Sequence, residues 1–308
     1  KTISNGLNLS TDGGLVWIKV RSQAQHHALF DTERGATKYL KSSATSAEAT
    51  RTDTLTSFNS NGFSLGNDSS GALVNTSGQT YASWTFKKKA KFFDVVTWTG
   101  NGTAGRTISH NLGTTVGCVM IKNTSNAENW MVYHIGSGID GQLNLNTNAA
   151  AVDESSQFND TVPSSTVLTL GANSEVNYNG QTYVAYLFAH DTDASSIIKC
   201  GSYTGTGSAN NAVTLGWEPQ WLIVKSASGT GSVQNWDMFD NQRGFSSGST
   251  TGELFPNAAI AERTVSNRMN ATATGFSTGT SSVDEINASG ITYIYMAIRN
   301  SSIPTITY

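Results

Sequence analysis

One short motif occurs three times at a fixed interval. An alternating, β-branched run containing a lysine appears at GLVWIKV (14–20), GCVMIKN (117–123) and WLIVKS (221–226), and Lys19, Lys122 and Lys225 are each 103 residues apart. A second run follows each lysine: GQTYASWTF (78–86), GQTYVAYLF (180–188) and GITYIYMAI (290–298), anchored on Tyr81, Tyr183 and Tyr293. A third signature lies between copies, WTGNGTAGRTISHNLG (98–113) against YTGTGSANNAVTLG (203–216). Landmarks repeating in one order mean that one supersecondary design is built several times. The repeats are placed at 1–98, 99–202 and 203–308. KTISNGLN (1–8) matches RTISHNLG (106–113), so the first copy begins inside its own linker strand. The expectation is an N-terminally truncated first repeat, cut from a longer protein.

The lysine runs alternate with period two, Val16, Ile18 and Val20 against Leu15, Trp17 and Lys19, which is the pattern of a strand, and the tyrosine runs alternate with bulky residues on both faces, which suits a sandwich strand whose outer face is partly covered. Further strands are expected at 94–99, 116–123, 130–134, 142–146, 166–170 and 197–203, punctuated by Asn-Gly turns at Asn61, Asn101 and Asn179. One short helix is expected, ATSAEATR at 44–51. Ser, Thr, Asn and Gly make up 134 of the 308 residues and charged residues only 13%, which excludes a coiled coil and is unlike an ordinary cytoplasmic enzyme. The fold expected is all-β: three tandem β-sandwiches of the lectin-like jelly-roll type, with immunoglobulin-like sandwiches as the alternative. A rod of three beads and a compact pseudo-symmetric cluster both fit three units. Propeller blades, typically ~40–50 residues, are too short for this period.

A net charge of −3 leaves no broad basic face, so nucleic acid is not an expected partner. No apolar run reaches the ~18 residues of a membrane-spanning helix, so no membrane insertion is expected. The two cysteines, Cys118 and Cys200, lie in apolar strand-like runs without metal-ligand spacing and read as buried thiols, a disulfide being the other possibility.

The sharpest polar constellation is FDTERG (30–35), which recurs as FDNQRG (239–244). Asp31 and Arg34 match Asp240 and Arg243, whereas the second repeat reads YHIGSG (133–138), with His134 and Ser137 in their places. Both charges vanish together while the glycine stays. This points to a structural turn pair closed by a glycine at positive φ. The functional alternative is a glycan-binding set of His27, Trp130, Trp236, Asp240 and Arg243, with Trp130 and Trp236 at matching positions and His27 standing there in the first repeat.

Other chemistry is thin. No His/Cys cluster has metal-ligand spacing, and HDTD (190–193) offers calcium only two carboxylates where it takes 6–8 oxygens, so no cofactor is expected. Glycosidase carboxylates such as Glu33, Asp153, Glu154, Asp284 and Glu285 do not recur between repeats, and neither a nucleophile elbow nor a phosphate loop is present. No enzyme activity is expected. The one basic run, Lys87, Lys88, Lys89 and Lys91, reads as a solvated connection, with polyanion contact as the alternative.

YTGTG…VTLGWEPQWLIVK (203–225), NWDMFDNQRGF (235–245) and GITYIYMAIRN (290–300) together resemble tandem repeats in tail-fibre and other virion proteins of tailed phages, especially marine and cyanobacterial ones. FDTERGATKYL (30–40) and FNSNGFSLGND (58–68) resemble the same repeats. The resemblance implies a non-enzymatic structural and adhesive module on the virion surface, outside the cell, often with a concanavalin-like sandwich. Its implied partners are other virion proteins, further copies of itself, and host surface polysaccharide. A lectin-like protein recognising host glycan is the alternative, and a polysaccharide depolymerase the remote one.

Overall fold

The computed structural model describes residues 1–69, 71–229, 234–246, 250–280, 285–300 and 305–307. The chain is all-β, with 44% of it in strands and 4% in helix, arranged in antiparallel sheets. Each repeat contributes one larger sheet built around its lysine strand, Gly14–Val20, Val116–Asn123 or Pro219–Ser226. On one side lies a seam strand, Ala28–Asp31, Trp130–His134 or Asp237–Asp240. On the other lies a tyrosine strand, Tyr81–Lys87, Thr182–Ala189 or Thr292–Arg299. Outside the tyrosine strand of the second repeat runs the linker strand Phe93–Thr99, and outside that of the third runs Ile198–Thr204. In the first repeat this edge is taken by the last strand of the chain, Thr305–Thr307, in register with Ser83–Thr85. Smaller sheets, such as 2–3/62–65/55–59 and 212–214/275–278/269–272, cover the outward faces.

The alternation in the lysine strands has a direct counterpart in packing. Leu15 and Trp17 point inward, as do Trp221 and Ile223, and they enter one continuous core with Met120, Tyr186, Phe188 and Met296. Val16 and Ile18 point outward to the first repeat's own cluster with Phe30 and Phe63, and Leu222 and Val224 do so in the third with Phe239 and Phe276. Phe86 of the first repeat lies edge-on to Phe188 of the second at 5.3 Å and to Trp221 of the third at 5.7 Å. The inner faces of all three large sheets therefore share one core, and the chain forms a compact cluster; the rod of separate beads is corrected.

The helix expected at 44–51 does not form. The segment runs as coil into a two-residue strand, Ala49–Thr50, and the backbone N–H of Glu48 donates to Thr124 O at 3.0 Å. A contact to another repeat takes a donor that a helix would use internally.

Candidate functional site

The recurring polar residues converge on the seams between repeats, and the seams run in a cycle. Glu48 N donates to Thr124 O, Ala151 N to Ala227 O, and Glu262 N to Arg21 O, at 3.0, 2.9 and 2.9 Å. Each donor lies beyond the strand that follows a seam strand, and each acceptor two residues beyond the lysine of the next repeat. First joins second, second joins third, and third joins first.

The Asp–Arg turn supplies the second layer of the seam. Asp31 Oδ1 accepts from the Arg34 backbone N–H at 2.9 Å while Oδ2 pairs with Arg34 Nε at 2.6 Å. Asp240 and Arg243 repeat this at 3.0 and 2.6 Å, with Asp240 capping a 3-10 turn, Asn241–Arg243. The turn then closes through glycine at left-handed φ, 91° at Gly35 and 94° at Gly244, with Gly138 at 76° in the second repeat. Each arginine also reaches the glutamate of that donor segment, Arg34 to Glu48 at 3.2 Å and Arg243 to Glu262 at 3.1 Å.

What these aspartates face explains their loss in the second repeat. Tyr186 Oη of the second repeat donates to Asp31 at 2.8 Å, and Trp84 Nε1 of the first donates to Asp240 at 3.0 Å. The matching position on the third repeat is Met296, which has no proton to donate. A buried carboxylate there would have no partner across the seam, and an arginine without it would be a buried unpaired charge. His134 stands instead: Gly136 N–H donates to its Nδ1 at 3.0 Å, so Nε2 carries the proton and donates to Tyr295 O, also at 3.0 Å. Burial pulls the His134 pKa down to about 3, so the ring stays neutral.

The three lysines form the third layer. All are fully buried. Lys122 Nζ donates to Thr45 O of the preceding repeat at 3.0 Å, and to Asn123 O and Glu128 O of its own, both at 2.9 Å. Lys225 Nζ reaches Asn148 O of the preceding repeat at 3.3 Å, and Lys19 caps Val20 O and Gln23 O. Burial lowers each lysine pKa to about 8.

The residues expected to contact glycan are placed inside. His27, Trp130, Trp236, Asp240 and Arg243 are all at most 5% exposed. Trp130 Nε1 donates to Lys41 O of the first repeat at 2.8 Å and Trp236 Nε1 to Asn144 O of the second at 3.1 Å. His27 accepts from Trp17 Nε1 at 2.9 Å and stacks on Trp84, with its Nε2 beside the Phe255 backbone but outside good hydrogen-bond geometry. These side chains hold repeats together and present no surface to a sugar.

The remaining candidates are dispersed or paired. Lys87, Lys88 and Lys91 form ion pairs with Asp12, Glu33 and Asp193 at 2.8, 2.8 and 3.0 Å, so the basic run is largely neutralised locally. Cys118 and Cys200 are buried free thiols whose pKa values burial raises. Among the glycosidase candidates, Asp284 lies outside the described residues. Two carboxylate groupings appear among the described residues, exposed Asp140, Asp153 and Asp160, and Asp237, Glu253 and Glu285. In the second, Asp237 is buried where the other repeats place Ala28 and Met131, and its carboxylate oxygens have no hydrogen-bond partner. Burial, reinforced by Glu253, pushes the Asp237 pKa well up. Arg263 and Arg268 pair with Glu253 and Glu285 within the cluster, and Arg268 Nη2 also lies 3.9 Å from Asp237 Oδ1.

One seam is open. At the third-to-first seam Arg21 extends over Glu262 and pairs with it through Nε at 2.9 Å and Nη2 at 2.8 Å. At the first-to-second seam the position of Arg21 is Thr124, and a cleft of about 450 Å³ lies beside Glu48. Glu33, Lys38 and Glu48 form one wall, and Thr97, Thr99, Thr124 and Thr182 the other. Sequence reasoning did not single out this cleft, although the unequal trio Arg21, Thr124 and Ala227 was visible two residues after each lysine.

No curated protein matches the chain, and neither does any solved structure. No helix among the described residues is long and apolar enough to cross a membrane. A family model described as a domain of unknown function, DUF7483, matches residues 2–301, and the chain belongs to that family.

Proposed function

We propose that this member of the family is a non-catalytic structural and adhesive module of a virus particle, part of a tail fibre or another surface fibre used in host attachment. The observation that carries the reading is where the recurring charge goes. Lys19, Lys122, Lys225 and both Asp–Arg pairs are buried in seams between repeats, engaged with backbone or with each other. Polar side chains repeated in this way build an assembly and leave no recurring set free to catalyse. The resemblance of FDNQRG and its flanking runs to phage virion repeats supplies the setting. In this reading 1–98, 99–202 and 203–308 are three jelly-roll-like sandwiches closed into a pseudo-threefold ring, with the surface rich in Ser, Thr, Asn and Gly facing outward. Host carbohydrate recognition is the second reading, and the open first-to-second seam favours it.

Immunogold labelling of purified particles with an antibody to this chain tests the proposal. Label on the tail or its fibres is expected, and particles without label overturn it. Reducing ends released from host polysaccharide by the purified chain would overturn its non-catalytic part.

A further inference from the structure

The open first-to-second seam is a departure from the design that the third-to-first seam fills. The loop glutamate is present at two seams, Glu48 and Glu262, and at one of them Arg21 lies over it. Where Thr124 replaces the arginine, Glu48 keeps Arg34 Nη1 at 3.2 Å and Lys38 Nζ at 3.4 Å, and still faces the cleft with acceptor capacity to spare. Across from it, Thr97 and Thr99 stand two residues apart on the linker strand Phe93–Thr99, so both project from the same face. Both are exposed, and neither hydroxyl makes a side-chain hydrogen bond among the described residues.

We infer that this cleft binds a neutral carbohydrate between Glu48 and Lys38 of the first repeat and Thr97 and Thr99 of the linker strand that pairs with the second repeat's sheet. The inference rests on the host-attachment reading and names the ligand class of its surface. The chemistry is that of a polyol site. A carboxylate held in place by two cations accepts from adjacent hydroxyls, an ammonium donates, and threonine hydroxyls do both. The charges on the walls are already compensated, Glu48 by Arg34 and Lys38 and Glu33 by Lys88, so nothing selects an ionic ligand. The volume of about 450 Å³ lies within the usual range of small-ligand sites. Trp98 beneath the cleft is stacked on Tyr183 at 5.5 Å and only 8% exposed, so hydrogen bonds rather than ring stacking carry the contact.

The test is an array of neutral hexose and acetamidohexose oligosaccharides probed with the whole chain. The wild type is expected to bind a subset of them. Thr124→Arg reproduces the filled seam, and is expected to lose binding at least about tenfold without lowering the melting temperature. The double variant Thr97→Ala/Thr99→Ala, at exposed positions, is expected to lose a similar factor. The inference is overturned if the wild type binds no neutral oligosaccharide or if the double threonine variant binds as the wild type does. An empty array with labelled particles removes the cleft alone, whereas unlabelled particles remove the attachment module whatever the array shows.

Discussion

The third-to-first seam and the first-to-second seam are built from the same parts and end differently. Both have an Asp–Arg turn, an aromatic donor across the seam, a loop glutamate and a buried lysine. Their cross-seam donors differ, Trp84 against Tyr186, and with more consequence so does the residue that follows the lysine strand: Arg21 covers Glu262, whereas Thr124 leaves Glu48 beside a cleft of about 450 Å³. The second-to-third seam keeps its lysine, Lys225, but has dropped the aspartate, the arginine, the loop glutamate and the aromatic donor, with His134, Ser137, Ala151 and Met296 in their places. Internal duplication thus supplies its own control. What all three seams keep is the loop-to-strand backbone bond and the buried lysine, and what varies among them is where specialisation is to be sought.

The largest effects are expected where the seams share one part. Phe86 touches aromatic rings of both other repeats, and Phe86→Ala is expected to cost about 3–5 kcal/mol by urea titration. It should weaken all three repeats together; a loss confined to the signals of the first repeat would break the comparison.

Next come the turn pairs. Asp240→Asn leaves Arg243 buried without its nearest carboxylate, at a cost of about 3–5 kcal/mol. Asp31→Asn is expected to cost less, because Arg34 has Glu48 without competition from a second arginine, whereas Glu262 is shared by Arg243 and Arg21. Replacing Asp31, Arg34 and Tyr186 together by His, Ser and Met, the second-to-third solution, should be milder than Asp31→Asn alone. Equal or greater damage from the triple change would contradict the account of why repeat two lost both charges.

The lysines contribute a pH dependence common to all seams. Their folded pKa is about 8 against 10.5 for an ordinary lysine, so between those values the unfolded chain holds more protons than the folded one. Stability therefore rises with pH above 8, by up to about 1.4 kcal/mol per lysine per pH unit. The two buried thiols, Cys118 and Cys200, oppose this trend from about pH 8.5, where they ionise in the unfolded chain but not in the folded one, and the tyrosines add to the opposition from about pH 10. Lys122→Leu is expected to remove one lysine's share of the slope in urea midpoints measured from pH 7 to 10. An unchanged slope would show that Lys122 does not titrate there.

The smallest effect belongs to the residue that separates the two seams. Arg21→Thr removes a partly buried ion pair, its side chains 29% and 12% exposed, and is expected to cost about 1 kcal/mol in thermal denaturation. A cost of several kcal/mol would mean that Arg21 is part of closure and that its absence at Thr124 is no simple opening.

Much of this was legible in the chain. The 103-residue spacing of Lys19, Lys122 and Lys225 marked the repeats, and the joint loss of Asp and Arg in repeat two marked them as a pair. The partners were not legible. Tyr186 lies 155 residues from Asp31, and Trp84 lies 156 from Asp240. Each sits in a run of apolar residues that reads as core, so nothing local shows that its polar atom crosses a seam. Trp130 and Trp236 were equally ambiguous, because a repeated tryptophan looks the same whether it packs inward or meets a sugar. The segment 44–51 has helical composition, but Glu48 N–H is claimed by Thr124 O, a contact that only the closed ring provides.

The central claim is that three repeats share one core and close on one another. Differential scanning calorimetry of the whole chain tests it most directly. The account predicts a single transition whose calorimetric and van't Hoff enthalpies agree. Two or three resolved transitions, or a calorimetric enthalpy two to three times the van't Hoff value, would show repeats that unfold independently and would contradict it.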